Sequence, residues 1–216
     1  RFANEGYLAL VPDLYSNDAV FKNMHLHDIH QVGRFRHAKD IEKALEALPE
    51  DQRDGARKAV FWDRERDTST YVADLLSAID YLRSRSDVSD YGIGCIGYCW
   101  GGGELGKLLV AGADLAAAAI YYGEPPALDK LGNVRCPVQG HYGTGDTVVG
   151  YAFVPDLESG MQAQGKHFEP YIYEDAPHAF FNDTGPRYRA EPSKLAWERT
   201  LAFFQQHLKG APVGAR

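Results

Sequence analysis

Hydrophobic positions change their spacing along the chain, and the changes mark out the elements. Residues 7–11 (YLALV) form a short continuous apolar run closed by Pro12-Asp13, the pattern of a buried strand. Before it, residues 1–6 (RFANEG) read as the last turn of a helix stopped by Gly6. Residues 70–83 place Val72, Leu75, Leu76, Ile79 and Leu82 on one face, as a helix does. The texture then shifts to strand and helix in alternation. Residues 91–96 predict a strand, 97–101 a turn and 102–110 a helix. Residues 116–122, 138–142 and 166–173 predict further strands. Residues 193–208 predict a closing helix with Leu195, Ala196, Leu201, Phe204 and Leu208 as its apolar set. Such alternation predicts an α/β fold with a mostly parallel sheet and helices on both faces.

The stretch 17–66 breaks this pattern. It is polar, mixes charges of both signs and carries His25, His27, His30 and His37. Within it only 41–48 has helical spacing, through Ile41, Leu45 and Leu48, and Pro49 ends it. The expectation is a single domain over 1–216, with 17–66 a polar excursion lying over it and 210–216 a loose tail.

Composition narrows the function classes. The 216 residues are 44% apolar and 25% charged, ordinary for a globular chain, which excludes a disordered or fibrous one. No stretch is long and apolar enough for a membrane span. The net charge of −7 argues against phosphate-neutralising nucleic-acid binding. The 3 cysteines are too few for a disulfide scaffold and show no zinc spacing, so a reducing, cytoplasmic setting is expected.

The sharpest chemical signal is Gly97-Tyr98-Cys99-Trp100-Gly101 between a strand and a helix. This is the nucleophile-elbow pattern with cysteine in the nucleophile position. Glycines two before and two after the nucleophile are expected to let the backbone pack closely. A helix starting beneath the sulfur favours the thiolate, and the Trp100 N–H is placed to meet an oxyanion. Asp146 lies just past the strand 138–142, and His178 just past the strand ending at Tyr173. Nucleophile, acid and base thus follow in the chain order of an α/β-hydrolase, each at a strand's C-terminal end.

Three segments make a family resemblance specific: residues 97–102 (GYCWGG), 141–146 (HYGTGD) and 173–180 (YEDAPHAF). They resemble the signature segments of the dienelactone hydrolase family, as 6–15 and 197–204 resemble its early strand and last helix. The resemblance spans residues 6–208, with 17–66 poorly matched. It implies an α/β-hydrolase fold and hydrolysis of enol-lactones or other small esters without metal or organic cofactor. It implies Cys99 as nucleophile, His178 as base and Asp146 as its orienting acid, with a thioester intermediate. It also implies two N-terminal strands and a loop upstream of residue 1, the loop supplying a second oxyanion N–H and a glutamate facing the thiol. The expectation is therefore an N-terminally truncated hydrolase domain. Of the family's substrate-binding arginines, one position is Asn182 here and another falls near Arg57.

Other residues give weaker signals. Tyr98 and Tyr122 are candidates to line the site beside Arg57. Cys95 and Cys136 read as structural. His25-Leu26-His27-Asp28-Ile29-His30 has imidazoles but the wrong aspartate spacing for a binuclear metal site, and reads as polar surface. Two alternatives stay open at this level. One is a general carboxylesterase or thioesterase. The other is a hydrolase-fold binding protein without catalysis. The oligomeric state is not legible.

Overall fold

The computed structural model describes residues 1–15, 18–36, 38–66, 68–88 and 91–208. The expected tail over 210–216 and His37 lie outside these residues. The chain divides into two compact units, Val11–Tyr71 and Arg1–Leu10 with Val72–Arg216.

Among the described residues, the Val11–Tyr71 unit has three α-helices: α1 (Leu26–Phe35), α2 (Ile41–Leu45) and α3 (Glu50–Glu65). Asp40 caps α2 by accepting the Lys43 N–H at 3.1 Å. Phe35, Ile41, Leu45, Leu48, Ala56 and Val60 form a small core of their own. Small residues let the helices approach. A Cβ at Gly55 of α3 would lie 2.3 Å from a carboxylate oxygen of Asp28 on α1. Asp63 is buried, and its carboxylate is neutralised by Arg36 at 3.1 Å and by Arg66. Only α2 matches the helical spacing seen in the sequence.

The larger unit holds the sheet. After α4 (Tyr71–Ser84), strand β1 (Gly94–Tyr98) leads through Cys99 into α5 (Trp100–Val110). Then come β2 (Ala117–Tyr121), β3 (Val138–Gly145), α6 (Val154–Ala163), β4 (Phe168–Pro177) and α7 (Ala190–His207). The strands pair in the order β1-β2-β3-β4, all parallel. Successive right-handed crossovers in one direction put their helices on one face. Accordingly Leu105, Leu108 and Leu109 of α5 and Leu157 and Met161 of α6 share a core with Ala118 and Ile120 of β2. The alternate residues Ala117, Ala119 and Tyr121 face the other way and meet Ala196, Phe203 and Phe204 of α7. Every residue of β2 is buried, which is why it reads as a continuous apolar run.

Gly6 closes a single 3-10 turn over Phe2–Glu5 with φ 87°. The next segment departs from expectation. Residues 7–11 form no strand, and Leu8 and Val11 are 47% and 89% exposed. A strand needs a neighbour to complete its ladder, and among the described residues β1 pairs only with β2. Tyr7 of this run packs within the unit, its ring 5.7 Å from Phe2 and 6.5 Å from Phe204.

Candidate active site

Cys99 sits between β1 and α5 with φ 54° and ψ −122°. This left-handed conformation is strained for a residue with a Cβ, at roughly 1–3 kcal/mol, and surrounding structure must enforce it. The Cys99 N–H donates to the Tyr121 carbonyl at 2.9 Å, tying the elbow to β2. A Cβ at Gly97 would lie 2.3 Å from the Gly101 carbonyl oxygen, so only glycine fits there. The second glycine requirement falls elsewhere than expected. A Cβ at Gly101 would meet nothing within 4 Å, whereas one at Gly102 would lie 2.9 Å from the Gly123 Cα. Gly102 is thus the position where α5 packs against the chain leaving β2, and the space beside Gly101 is open.

Asp146 and His178 come from the ends of β3 and β4. Gly143 draws these strands together, since a Cβ there would lie 2.0 Å from the Ala176 carbonyl oxygen. A register shift between Gly143 and Gly145 then turns the chain so that Gly145 opposes Pro177. Asp146 Oδ1 accepts the Val148 and Val149 N–H groups at 2.8 and 3.0 Å, which fixes the carboxylate. Its Oδ2 accepts from His178 Nδ1 at 2.9 Å. His178 Nε2 lies 3.0 Å from Cys99 Sγ. The imidazole and carboxylate are buried, while Cys99 is exposed. The three expected residues therefore form one hydrogen-bonded line that ends in an accessible thiol. Among the described residues, the non-glycine positions with positive φ are Cys99, Tyr122, Asp175 and Ala179, and all lie around this line. Backbone strain is concentrated where the chemistry is expected.

Burial alone lowers the pKa of His178, but hydrogen bonds to Cys99 and Asp146 outweigh it and raise the value above its ordinary 6.5. Burial alone raises Asp146, but the His178 hydrogen bond and the two backbone donors outweigh it and lower the carboxyl below 3.8. The signs fix a pH window. A raised histidine contributes stability that is complete below its unfolded value and lost as pH climbs through its folded value. Asp146 contributes above its unfolded value and loses that contribution as pH falls. Thermal melts of the parent and of His178→Gln should therefore differ more at pH 6 than at pH 9. A difference that grows toward pH 9 would contradict the ion pair.

Trp100 opens α5, so its N–H belongs to the first turn, whose donors and positive dipole end lie beside Cys99. Tyr98 is partly buried and stacks on Phe181 at 5.6 Å and 14°. Tyr122 is buried with its ring edge-on to His178 at 5.2 Å, and its N–H donates to the His141 carbonyl at 2.8 Å. Arg57 lies in the other unit, on α3, where its guanidinium forks onto Glu42 with two bonds of 2.7 Å. Asn182 Oδ1 accepts from the backbone N–H and hydroxyl of Thr184 at 3.2 and 2.8 Å.

One buried polar group was not singled out from the sequence. His141 on β3 is fully buried, and burial first, then the Arg199 charge, push its pKa down to about 3. Its ring is bonded to the Tyr173 hydroxyl, Gln139 and Thr200 at 2.8, 2.8 and 3.0 Å. No local pattern announces it, because Tyr173 and Thr200 lie on β4 and α7, and Gln139 alone shares its strand.

The dienelactone hydrolase family model matches residues 1–208. The chain belongs to the dienelactone hydrolase family. It is a carboxylic ester hydrolase of that family, which acts on small molecules. A protein named as a carboxymethylenebutenolidase from Saccharolobus solfataricus is 30% identical over 95% of this chain and 81% of its own. Another so named from Escherichia coli K12 is 26% identical, over 96% of this chain and 69% of its own. Among solved structures, one described as a dienelactone hydrolase from Klebsiella pneumoniae aligns with TM-score 0.54 and 26% identity, over 67% of this chain and 69% of that one. A dienelactone hydrolase-like promiscuous phosphotriesterase from metagenomic libraries aligns with TM-score 0.58 and 18% identity, over 75% of this chain and 70% of that one, a likeness of fold. The fold is that of the α/β-hydrolases. Among the described residues, no helix is long and apolar enough to cross a membrane.

Proposed function

We propose that this hydrolase cleaves small esters and enol-lactones through a Cys99–His178–Asp146 triad and a thioester on Cys99. The observation that carries the proposal is the continuous line from Asp146 Oδ2 through both ring nitrogens of His178 to the exposed sulfur. His178 takes the thiol proton, and the thiolate attacks the carbonyl carbon. The carbonyl oxygen gains the negative charge and meets the Trp100 N–H at the start of α5. As the intermediate collapses, the C–O bond breaks and the leaving oxygen takes the proton from His178. Water then gives a proton to His178 and attacks the thioester, and the thiolate leaves. Asp146 holds the imidazole in the tautomer that presents Nε2 to the sulfur. Tyr98 and Tyr122 form the aromatic wall of the acyl site.

The sulfur sets the substrate class. A thiolate leaves well, since a thiol titrates near ~8.5 and a phenol near ~10. Collapse of the first intermediate toward product therefore competes with loss of the thiolate when the leaving oxygen is an enolate or phenolate, whose pKa lies close to that of the thiol. Alkoxides lose this competition. The test is to compare an enol-lactone, an aryl ester, an alkyl ester and an amide with the same acyl group. The enol-lactone and aryl ester should exceed the alkyl ester in kcat/KM by about a hundredfold or more, with the amide lower still. Equal rates for alkyl and aryl esters would overturn the thioester route.

A general carboxylesterase is a second reading, favoured by one observation. Arg57 is held by Glu42, and Asn182 stands where the resemblance leads one to expect an arginine. The guanidinium of Arg57 is thus already paired, and Asn182 brings none to its position. Under this reading, a carboxylate on the lactone changes kcat/KM by no more than a few-fold.

A further inference from the structure

At the far end of the sheet, β4 begins beside the end of α7. His167 immediately precedes β4, Glu169 is its second residue, and His207 is the last residue of α7. A ring nitrogen of each histidine and a carboxylate oxygen of Glu169 all lie within 4.8 Å of one another. Among the described residues, no other group brings together three ligating side chains in this way. We propose that His167, Glu169 and His207 bind a divalent transition ion of the zinc class and clip the end of α7 to the start of β4.

Four observations support the site. The donor set is two imidazoles and one carboxylate, which suits zinc with solvent completing the coordination. His207 Nε2 is sealed from solvent and finds no hydrogen-bond partner among the described residues, so the ring carries an unsatisfied buried nitrogen. Its ring is fixed against Phe203 at 4.7 Å. Glu169 is already oriented as metal-ligating carboxylates are. Its Oε2 accepts from Gln139 Nε2 and the Tyr171 hydroxyl at 3.3 and 3.4 Å, while Oε1 turns to His167 Nε2 at 2.7 Å.

The geometry needs only a small adjustment. Ligand atoms lie about 2.0–2.2 Å from zinc, so two of them sit about 3.4 Å apart around a tetrahedral ion. His167 and Glu169 open slightly and His207 closes in. His207 ends its helix, where backbone restraint is weakest. The triad is a poor rival for one ion, because Cys99 and Asp146 engage opposite nitrogens of the His178 ring. The two sites are also far apart. β4 runs from Phe168 to Pro177 between them, roughly 30 Å at about 3.3 Å per residue. The clip therefore acts on the fold and leaves ester hydrolysis unchanged.

The test uses purified Cys99→Ala protein, which removes the accessible thiol, titrated with Co²⁺ and Zn²⁺. One Co²⁺ per chain should bind, with the visible absorption of a four- or five-coordinate ion, and Zn²⁺ should displace it. Zn²⁺ should raise the melting temperature. His207→Gln and Glu169→Gln should each weaken binding about tenfold or more, and added His178→Gln should leave it unchanged. His167→Gln, at a largely exposed side chain, gives a third variant that keeps the fold. Absence of saturable binding would overturn the site. So would binding that survives all three cluster substitutions or is lost with His178→Gln.

Discussion

Cys99→Ala is expected to lower kcat/KM for an aryl ester by about a thousandfold or more while the protein stays folded. Each tenfold loss corresponds to about 1.36 kcal/mol of transition-state stabilisation, so the thiol accounts for about 4 kcal/mol. The fold should survive the change, since Cys99 is exposed and alanine keeps the Cβ. The same residue should dominate thiol alkylation. Burial pushes the Cys95 thiol up to about 11 and the Cys136 thiol up to about 12, which keeps both protonated and slow. Ester turnover of the two proteins, with peptide mapping after limited alkylation, checks both statements. Activity of Cys99→Ala within about tenfold of the parent would remove the nucleophile from the account.

His178→Ala carries the second large effect, also about a thousandfold in kcat/KM. It has a signature that a merely structural role lacks. Under the proposed mechanism the histidine acts through the sulfur, which it touches at 3.0 Å. In the Cys99→Ala background, replacing it should therefore cost almost nothing further, because residues acting as one unit are strongly non-additive. The same logic extends to Asp146, which reaches the sulfur only through the imidazole. A double-mutant cycle on one aryl ester measures this. A double mutant slower than Cys99→Ala by a further hundredfold would mean that His178 has a separate task.

The sheet and the strand-end positions that bring Cys99, His178 and Asp146 into one hydrogen-bonded line are legible in the sequence for local reasons. β2 is buried on both faces, so its five residues AAAIY are all apolar. The elbow was legible because Gly97 has a backbone oxygen where a Cβ would go. The partner glycine was assigned by pattern to Gly101, but close packing falls on Gly102, since it is the approach of the chain at Gly123 that decides. Helices α1 and α3 were missed because their contacts rest on Ala56, Ala59 and Gly55 and on the buried Asp63 ion pairs. None of these registers as an apolar stripe. Helix α6 opens with Pro155 in its first turn and buries only Val154, Leu157 and Met161, too few to stand out. Residues 7–11 show the converse. Their composition is strand-like, but a strand is made by its neighbour, and none of the described residues pairs with them. The His141 network and the His167, Glu169, His207 cluster are tertiary, and their spacing along the chain carries no motif.

A covalent acyl group on Cys99 is detected by mixing the protein with an activated aryl ester, quenching in acid within the first turnovers, and mapping the added acyl mass by peptide mass spectrometry. The account predicts one acyl group per chain, on the peptide containing Cys99, labile to hydroxylamine and absent in Cys99→Ala. Rapid release of product with no acyl adduct, or with the adduct on another residue, would contradict it.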